Sequence, residues 1–322
     1  MAIGTLVFDK SSYKNVVCLG HILDEQGRKM SKHLGNVLEP VGLMDEHGAD
    51  ALRWYMLASG SPWQARRVGH TNIAEVVRKI LLTYWSTVSF QSLYARESNF
   101  TYSPSQATKA SQRPRIDQWL LNESNFLARD VDEALAQFDT QKAGKLISEF
   151  IDTLSNWYVR RNRRRFWDGE PAALETLHEA LEILTRVLAP FTPFITERVW
   201  QDLFVETNPE VTSVHLASWP DVNHRALDTT LSQQMKIVIA LVELGRAARA
   251  ESKVKTRQPL SRALIGATLW SSIPQELQQH VADELNVKMV EGLAEAESEL
   301  TSVSIKANFR NLGKRFGSDT QR

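Results

Sequence analysis

Residues 143 to 159, Ala-Gly-Lys-Leu-Ile-Ser-Glu-Phe-Ile-Asp-Thr-Leu-Ser-Asn-Trp-Tyr-Val, set apolar side chains at Ala143, Leu146, Ile147, Phe150, Ile151, Leu154 and Tyr158. Steps of three and four residues over four turns line one face of a helix, and a strand would need alternation instead. The same spacing runs from Ile116 through Leu120, Leu127, Val131 and Leu135 to Phe138, so two long helices follow one another and are expected to pack antiparallel. A third such run, Leu174, Leu177, Leu181, Leu184, Val187 and Leu188, stops at Pro190; Thr192-Pro193 then offers an N-cap and a first-turn proline to a helix through Trp200 and Phe204. Upstream, Ile73, Val76, Val77, Ile80, Leu81, Tyr84, Trp85 and Val88 predict a helix over 72–95. The centre of the chain is therefore a bundle of four or five helices.

Outside the bundle the signals shorten. Thr5 to Phe8, with no preceding element to pair with, and Val16 to Leu19 read as strands, and Asp24 to Gly27 as a turn before a basic loop. Helices follow from Pro40 to Gly48 and from about Asp50, the second burying Leu52, Tyr55 and Met56 until Gly60-Ser61-Pro62 ends it. Trp54, Tyr55 and Trp63 read as core, with Arg66 and Arg67 beside them able to meet RNA. Ser98 to Pro114, rich in Ser, Thr and Gln, reads as an exposed, cleavable connection. Beyond an irregular stretch at 206–225, in which Val214 to Leu216 is extended and His215 is a structural strand residue, a helix is expected over 227–250. A strand over Ala263 to Leu269, a helix over Pro274 to Leu285 and strands at Val287 to Val290 and Val303 to Ile305 complete a small α/β unit.

The 322 residues are 43% apolar and 24% charged, which is ordinary globular usage and excludes a disordered chain. Thirty-eight basic side chains balance thirty-eight acidic ones, so attraction to nucleic acid has to come from local clusters. A single cysteine, Cys18, excludes an internal disulfide framework or a cysteine-rich zinc site. Cys18 and His21 are two donors without partners, so no bound metal is expected. With no apolar run of eighteen residues and no secretory start, no membrane is expected, and the cytoplasm is the expected compartment.

Two clusters stand out. Gly27-Arg28-Lys29-Met30-Ser31-Lys32-His33-Leu34-Gly35-Asn36 puts three cations on a loop bounded by glycines, suited to phosphate oxygens and equally compatible with a solvated turn. Trp157-Tyr158-Val159-Arg160-Arg161-Asn162-Arg163-Arg164-Arg165-Phe166-Trp167 holds five arginines within six residues at the end of the long helix. They spread around the helix cylinder, so some must face inward or pair with acids. The rest, with aromatic platforms, suit RNA, where arginine grips phosphate and stacks on bases; the alternative is a helix end whose cations complement its dipole. Lys253, Lys255, Arg257 and Arg262 form a further basic stretch, readable as a solvated face.

Lys29-Met30-Ser31-Lys32 with Leu34-Gly35-Asn36, followed by Gly48-Ala49-Asp50-Ala51-Leu52-Arg53, resembles the KMSKS signature of class I aminoacyl-tRNA synthetases. The departure is His33, where that family most often has serine. Asn156 to Trp167 resembles the anticodon-binding bundle of the isoleucyl branch, as do Ser213 to Pro220 and Lys255 to Leu260 the segments that close and follow it. The resemblance implies three parts: the end of a Rossmann-type catalytic domain with a stem-contact region over 1–70, the anticodon-binding bundle over 71–225, and a long helix with a partial α/β domain over 226–322. It implies ATP-dependent attachment of isoleucine to its tRNA through an aminoacyl-adenylate, with Mg2+ and without zinc. Lys32 would stabilise the triphosphate, with Lys29 and Ser31 supporting and His33 also on the ATP loop. Arg160, Arg161, Arg164, Arg165, Trp157 and Trp167 would meet tRNA. The HIGH-type tetrapeptide of the family is not in this sequence, so the expectation is a carboxy-terminal part that works with an amino-terminal half; the alternative is a free-standing, non-catalytic tRNA-binding module.

Overall fold

The computed structural model describes residues 2–222 and 227–293. The expected strand at Val303 to Ile305 lies outside them. The described chain divides into two compact units, residues 1–232 and 233–322. None of its helices is long and apolar enough to cross a membrane.

The first unit opens with helix α1 (Ala2–Phe8), which buries no side chain. The expected strand at Thr5 to Phe8 is thus a helix: no described strand pairs with it, and an unpaired segment satisfies its backbone only by coiling on itself. Val16 to Leu19 form no strand either; β1 is Ile22–Leu23, and it pairs in parallel with β2 (Arg66–Arg67). Between them lie α2 (Pro40–His47) and α3 (Ala49–Ala58). Helix α3 buries Asp50, Ala51 and Trp54 rather than Leu52, Tyr55 and Met56, which are half-buried. The face is chosen by tertiary partners. The Asp50 carboxylate accepts the amides of Phe194 (3.3 Å) and Ile195 (2.7 Å), Arg53 donates to the Pro190 carbonyl (2.8 Å), and Trp54 lies 5.5 Å from the Phe191 ring. Trp63, expected in the core, is exposed.

The predicted helix over 72–95 is α4 (His70–Val76) and α5 (Leu82–Glu97), continuous through a π-helical turn at Val77–Leu81. The 98–114 connection is irregular but not loose. Arg113 is buried, donating to Glu179 (2.6 Å), Thr176 (3.0 Å) and the Thr108 carbonyl (2.9 Å), and Tyr102 donates to Glu179 (3.0 Å) and stacks on His178. Most of the stretch is exposed, as its polar composition suggests, and buried ion pairing at Arg113 anchors its end.

Helix α6 (Arg115–Ala136) and α7 (Thr140–Asp152) are joined by three residues that turn the chain back. Phe138 lies in that turn at φ 58°, half exposed, and not on the helix. The Asp139 carboxylate caps α7 by accepting the Lys142 amide (2.9 Å). Gly144 lets α7 approach α3: a Cβ there would sit 2.2 Å from that of Ala58. Helix α7 runs through a π-helical turn, Thr153–Val159, toward the short α8 (Arg163–Trp167). Helix α9 (Pro171–Leu188) is the hub, with Leu174, Leu177, Leu181, Leu184 and Leu188 fully buried against α5, α6 and α10 (Pro193–Leu203). Thr192 does occupy the N-cap of α10, but its hydroxyl is buried with no hydrogen-bond partner among the described residues, because Asp50 meets the helix amides instead. Val214–Leu216 is a 3₁₀ turn rather than extended, with His215 3.2 Å from the Pro193 carbonyl, and Trp219 donates to the Ala128 carbonyl (3.1 Å).

Helix α11 is Thr229–Glu251. The second unit pairs β3 (Leu260–Gly266) in parallel with β4 (Val287–Leu293), connected by α12 (Ala267–Ser271) and α13 (Gln275–Leu285). Strand β3 begins and ends three residues before the expected span. Buried Arg249 gathers the carbonyls of Lys255, Gln258, Leu285 and Asn286 at 2.6–3.2 Å, which fixes the end of α11 within this α/β unit.

Candidate functional site

The basic loop is a built structure, not a slack turn. Leu23 bridges Lys29, and Gly27, in the left-handed region at φ 81°, closes the bend between them. Buried Asp24 anchors the interior: its carboxylate accepts the backbone amide of Arg28 (2.7 Å), the Arg28 Nε (2.8 Å) and the Asn36 amide (2.8 Å). The Asn36 contact, followed by those from Arg28, holds the Asp24 carboxyl down at about 2. Asn36 also accepts the Ser31 amide (2.9 Å) and donates to the Lys29 carbonyl (3.3 Å), so one side chain spans the mouth of the loop.

Within that frame Ser31 starts a 3₁₀ turn, Lys32–Leu34, its Oγ accepting the Leu34 amide (3.3 Å), and Gly35 ends it at φ 61°. Lys29, Lys32 and His33 project outward and are exposed, and neither lysine pairs with a carboxylate among the described residues. Arg28, by contrast, is spent on Asp24. The sequence singles out the lysines and misses the Asp24–Asn36 clamp, whose members lie twelve residues apart and carry no periodic signal. Two rotatable ammonium groups on a frame held by buried polar contacts can follow a phosphate through a change of charge.

The arginine cluster divides. Arg165 forms paired hydrogen bonds to Asp117 (2.7 and 2.6 Å) and to Glu170 (2.8 and 2.6 Å), and Asp117 is completely buried. Burial alone would lower the Arg165 pKa; the Asp117 and Glu170 carboxylates raise it instead. Tyr158 adds its hydroxyl to Asp117 (2.8 Å). Arg165 is thus an internal tie, not a surface cation, and Trp157 is buried in the bundle. Arg160, Arg163 and Arg164 are exposed, and Arg161 is half-buried. Among the described residues Arg164 reaches only Asp168, at 3.8 Å with both side chains in solvent. Trp167 is 69% exposed, its indole N–H donating to Tyr94 and thereby oriented.

Arg66 is not an exposed RNA contact: its guanidinium closes the end of α3 on the carbonyls of Tyr55 (3.2 Å), Met56 and Gly60 (3.0 Å). Arg67 is exposed beside Gly27. Lys253, Lys255, Arg257 and Arg262 are exposed, with Arg262 paired to Glu291 at 3.4 Å. Cys18 and His21 gain no third metal donor among the described residues.

Residues 1–68 match the family described as tRNA synthetases class I (I, L, M and V), and residues 117–264 match the anticodon-binding domain of tRNA ligase. The isoleucine–tRNA ligase of Streptomyces avermitilis is 61% identical over all of this chain, which covers 31% of that protein, and that of Streptomyces coelicolor gives the same figures. The isoleucine–tRNA ligase of Deinococcus radiodurans is 41% identical over 98% of the chain and 29% of its own length. The chain spans about a third of the length of the curated relatives it matches.

Proposed function

Because the chain belongs to the isoleucyl-tRNA synthetase family of class I enzymes, we propose that it supplies the phosphate-gripping loop and the tRNA-reading bundle for ATP-dependent attachment of isoleucine to its tRNA. The observation that carries this reading is the loop at 27–36, where Lys29 and Lys32 stand unpaired among the described residues on a scaffold closed by Asp24 and Asn36. In adenylate formation a carboxylate oxygen attacks the α-phosphorus of ATP and pyrophosphate leaves. Negative charge grows on the departing phosphates, which arrive with Mg2+. Lys32 meets that charge from the 3₁₀ turn and Lys29 from the adjoining bridge. Ser31 holds the turn, and His33 lines it. The parallel β1–β2 pair fits the end of a Rossmann-type sheet, with the stem-contact region beside it over 1–70, the bundle over 71–225 and the remainder from 226. The compartment proposed is the cytoplasm.

Anticodon-loop contact falls to the exposed Arg160 and Arg164 and the half-buried Arg161, with Trp167 as a stacking platform. Arg165 and Trp157 shape that surface from within. The test joins this chain to the amino-terminal remainder of a relative and measures two things. Lys32→Ala lowers ATP–pyrophosphate exchange by roughly 10²- to 10³-fold, the cost of one aimed donor. Arg164→Ala weakens binding to isoleucine tRNA and flattens its log–log salt slope by about 0.7. Unchanged exchange in the lysine variant removes the ATP role and leaves a tRNA-binding module; equal binding of isoleucine and non-cognate tRNA removes the anticodon role.

A further inference from the structure

Just past the basic loop, His47 ends α2 and His70 begins α4, twenty-three residues later. Their rings meet with Nε2 of His47 3.1 Å from Nδ1 of His70. The carboxylate of Glu46 spans both nitrogens, one oxygen 3.4 Å from His47 Nε2 and the other 3.0 Å from His70 Nδ1. An imidazole nitrogen carries either one in-plane N–H or one lone pair. Each of these two nitrogens faces two neighbours at once; one proton on His70 can serve Glu46 and leave His47 Nε2 as a bare lone pair, and the same three residues hold their donor atoms within reach of a single ion. If both carried protons for Glu46, the two N–H groups would oppose each other across 3.1 Å.

A cation at the centre satisfies all three donors together. Tetrahedral zinc with bonds of about 2.0–2.1 Å sets its donors about 3.3 Å apart, close to the 3.1 Å between the two ring nitrogens, with a different Glu46 oxygen beside each of them at 3.4 and 3.0 Å. The ligand types also match: two imidazoles and one carboxylate, with a fourth position left for water. The side chain of His47 is 10% exposed, whereas those of His70 and Glu46 are 50% and 59% exposed, so the triad has a rigid inner wall and an open outer side. We propose that Glu46, His47 and His70 bind a divalent transition-metal ion of the zinc class, which staples the last turn of α2 to the first turn of α4. The sequence argument against zinc rests on the scarcity of cysteine, and this site uses none.

The site is tested on the purified, tag-free chain with Co2+ alone as a visible reporter, displaced by Zn2+. The expected result is one equivalent per chain with the absorption of a tetrahedral ion. His47→Gln and His70→Gln each weaken binding by roughly 100-fold or more, while Cys18→Ser with His21→Gln does not. Glu46→Gln, at an exposed position that leaves both helices intact, weakens binding with an unchanged helical circular dichroism spectrum, which separates ligand loss from misfolding. Less than one equivalent bound by the parent chain, or undiminished binding in the His47→Gln, His70→Gln double variant, overturns the proposal.

Discussion

His178 shows how one buried side chain gives the fold a dependence on pH. Its ring stacks on Tyr102 at 4.2 Å and meets the edge of Phe204 at 5.0 Å, and its Nε2 has no hydrogen-bond partner among the described residues. Burial pushes its pKa from 6.5 down to about 4, so the folded protein keeps the ring neutral. The unfolded chain takes up the proton first as pH falls, which favours unfolding. The stabilisation is complete above pH 6.5 and is lost as pH falls through about 4, amounting to about 3 kcal/mol at about 1.4 kcal/mol per pKa unit. Urea unfolding at pH 7 and at pH 4 measures the drop. In His178→Gln the part of the drop that belongs to this group is absent, whatever the variant's absolute stability.

Between elements, the Arg165 tie joins α8 to α6 through Asp117 and to the start of α9 through Glu170. Arg165→Leu strands the fully buried Asp117 carboxylate and costs about 3–5 kcal/mol. Arg164→Leu, at a side chain that is 92% exposed and reaches Asp168 across solvent at 3.8 Å, stays within about 0.5 kcal/mol. Equilibrium urea denaturation separates the two. That contrast marks what was legible in the sequence. Apolar spacing placed the long helices, because each buries a broad stripe at regular steps, and the basic loop stood out by its letters. The facing of the arginines did not, because the π-helical turn at Thr153–Val159 inserts an extra residue per turn and shifts every later side chain out of the phase that the preceding helix sets. Trp157 therefore goes in and Trp167 out. Polar composition likewise hid the anchoring of 98–114, since Arg113 is buried only because Glu175 and Glu179 wait one turn apart on α9. The Glu46–His47–His70 triangle depends on a contact across twenty-three residues and has no local signal.

At the scale of the whole first unit, the question is whether the basic loop and the helical bundle move as one body. The Gly48-to-Arg53 stretch that carries the family resemblance is also the joint: Asp50 caps α10, Arg53 holds the Pro190 carbonyl, and Trp54 seats against Phe191. Helix α2 leads from the loop into this joint through Gly48 alone, so displacement of α3 displaces the loop. Desolvation raises the Asp50 pKa, and the amides of Ile195 and Phe194 oppose that rise by stabilising the charged form. Asp50→Ala removes the carboxylate and strands both amides at a half-buried helix start, a loss of about 0.5–2 kcal/mol by analogy with other N-caps. The expected outcome is local. Hydrogen exchange in the parent shows α3 and α9 amides opening together at the global limit, whereas in Asp50→Ala the α3 amides open at lower free energy while those of α6, α7 and α9 keep their protection relative to the new global limit. Uniform loss of protection across all four helices would mean that Asp50 contributes only stability and that loop and bundle are coupled elsewhere, through the close contact of Gly144 with Ala58.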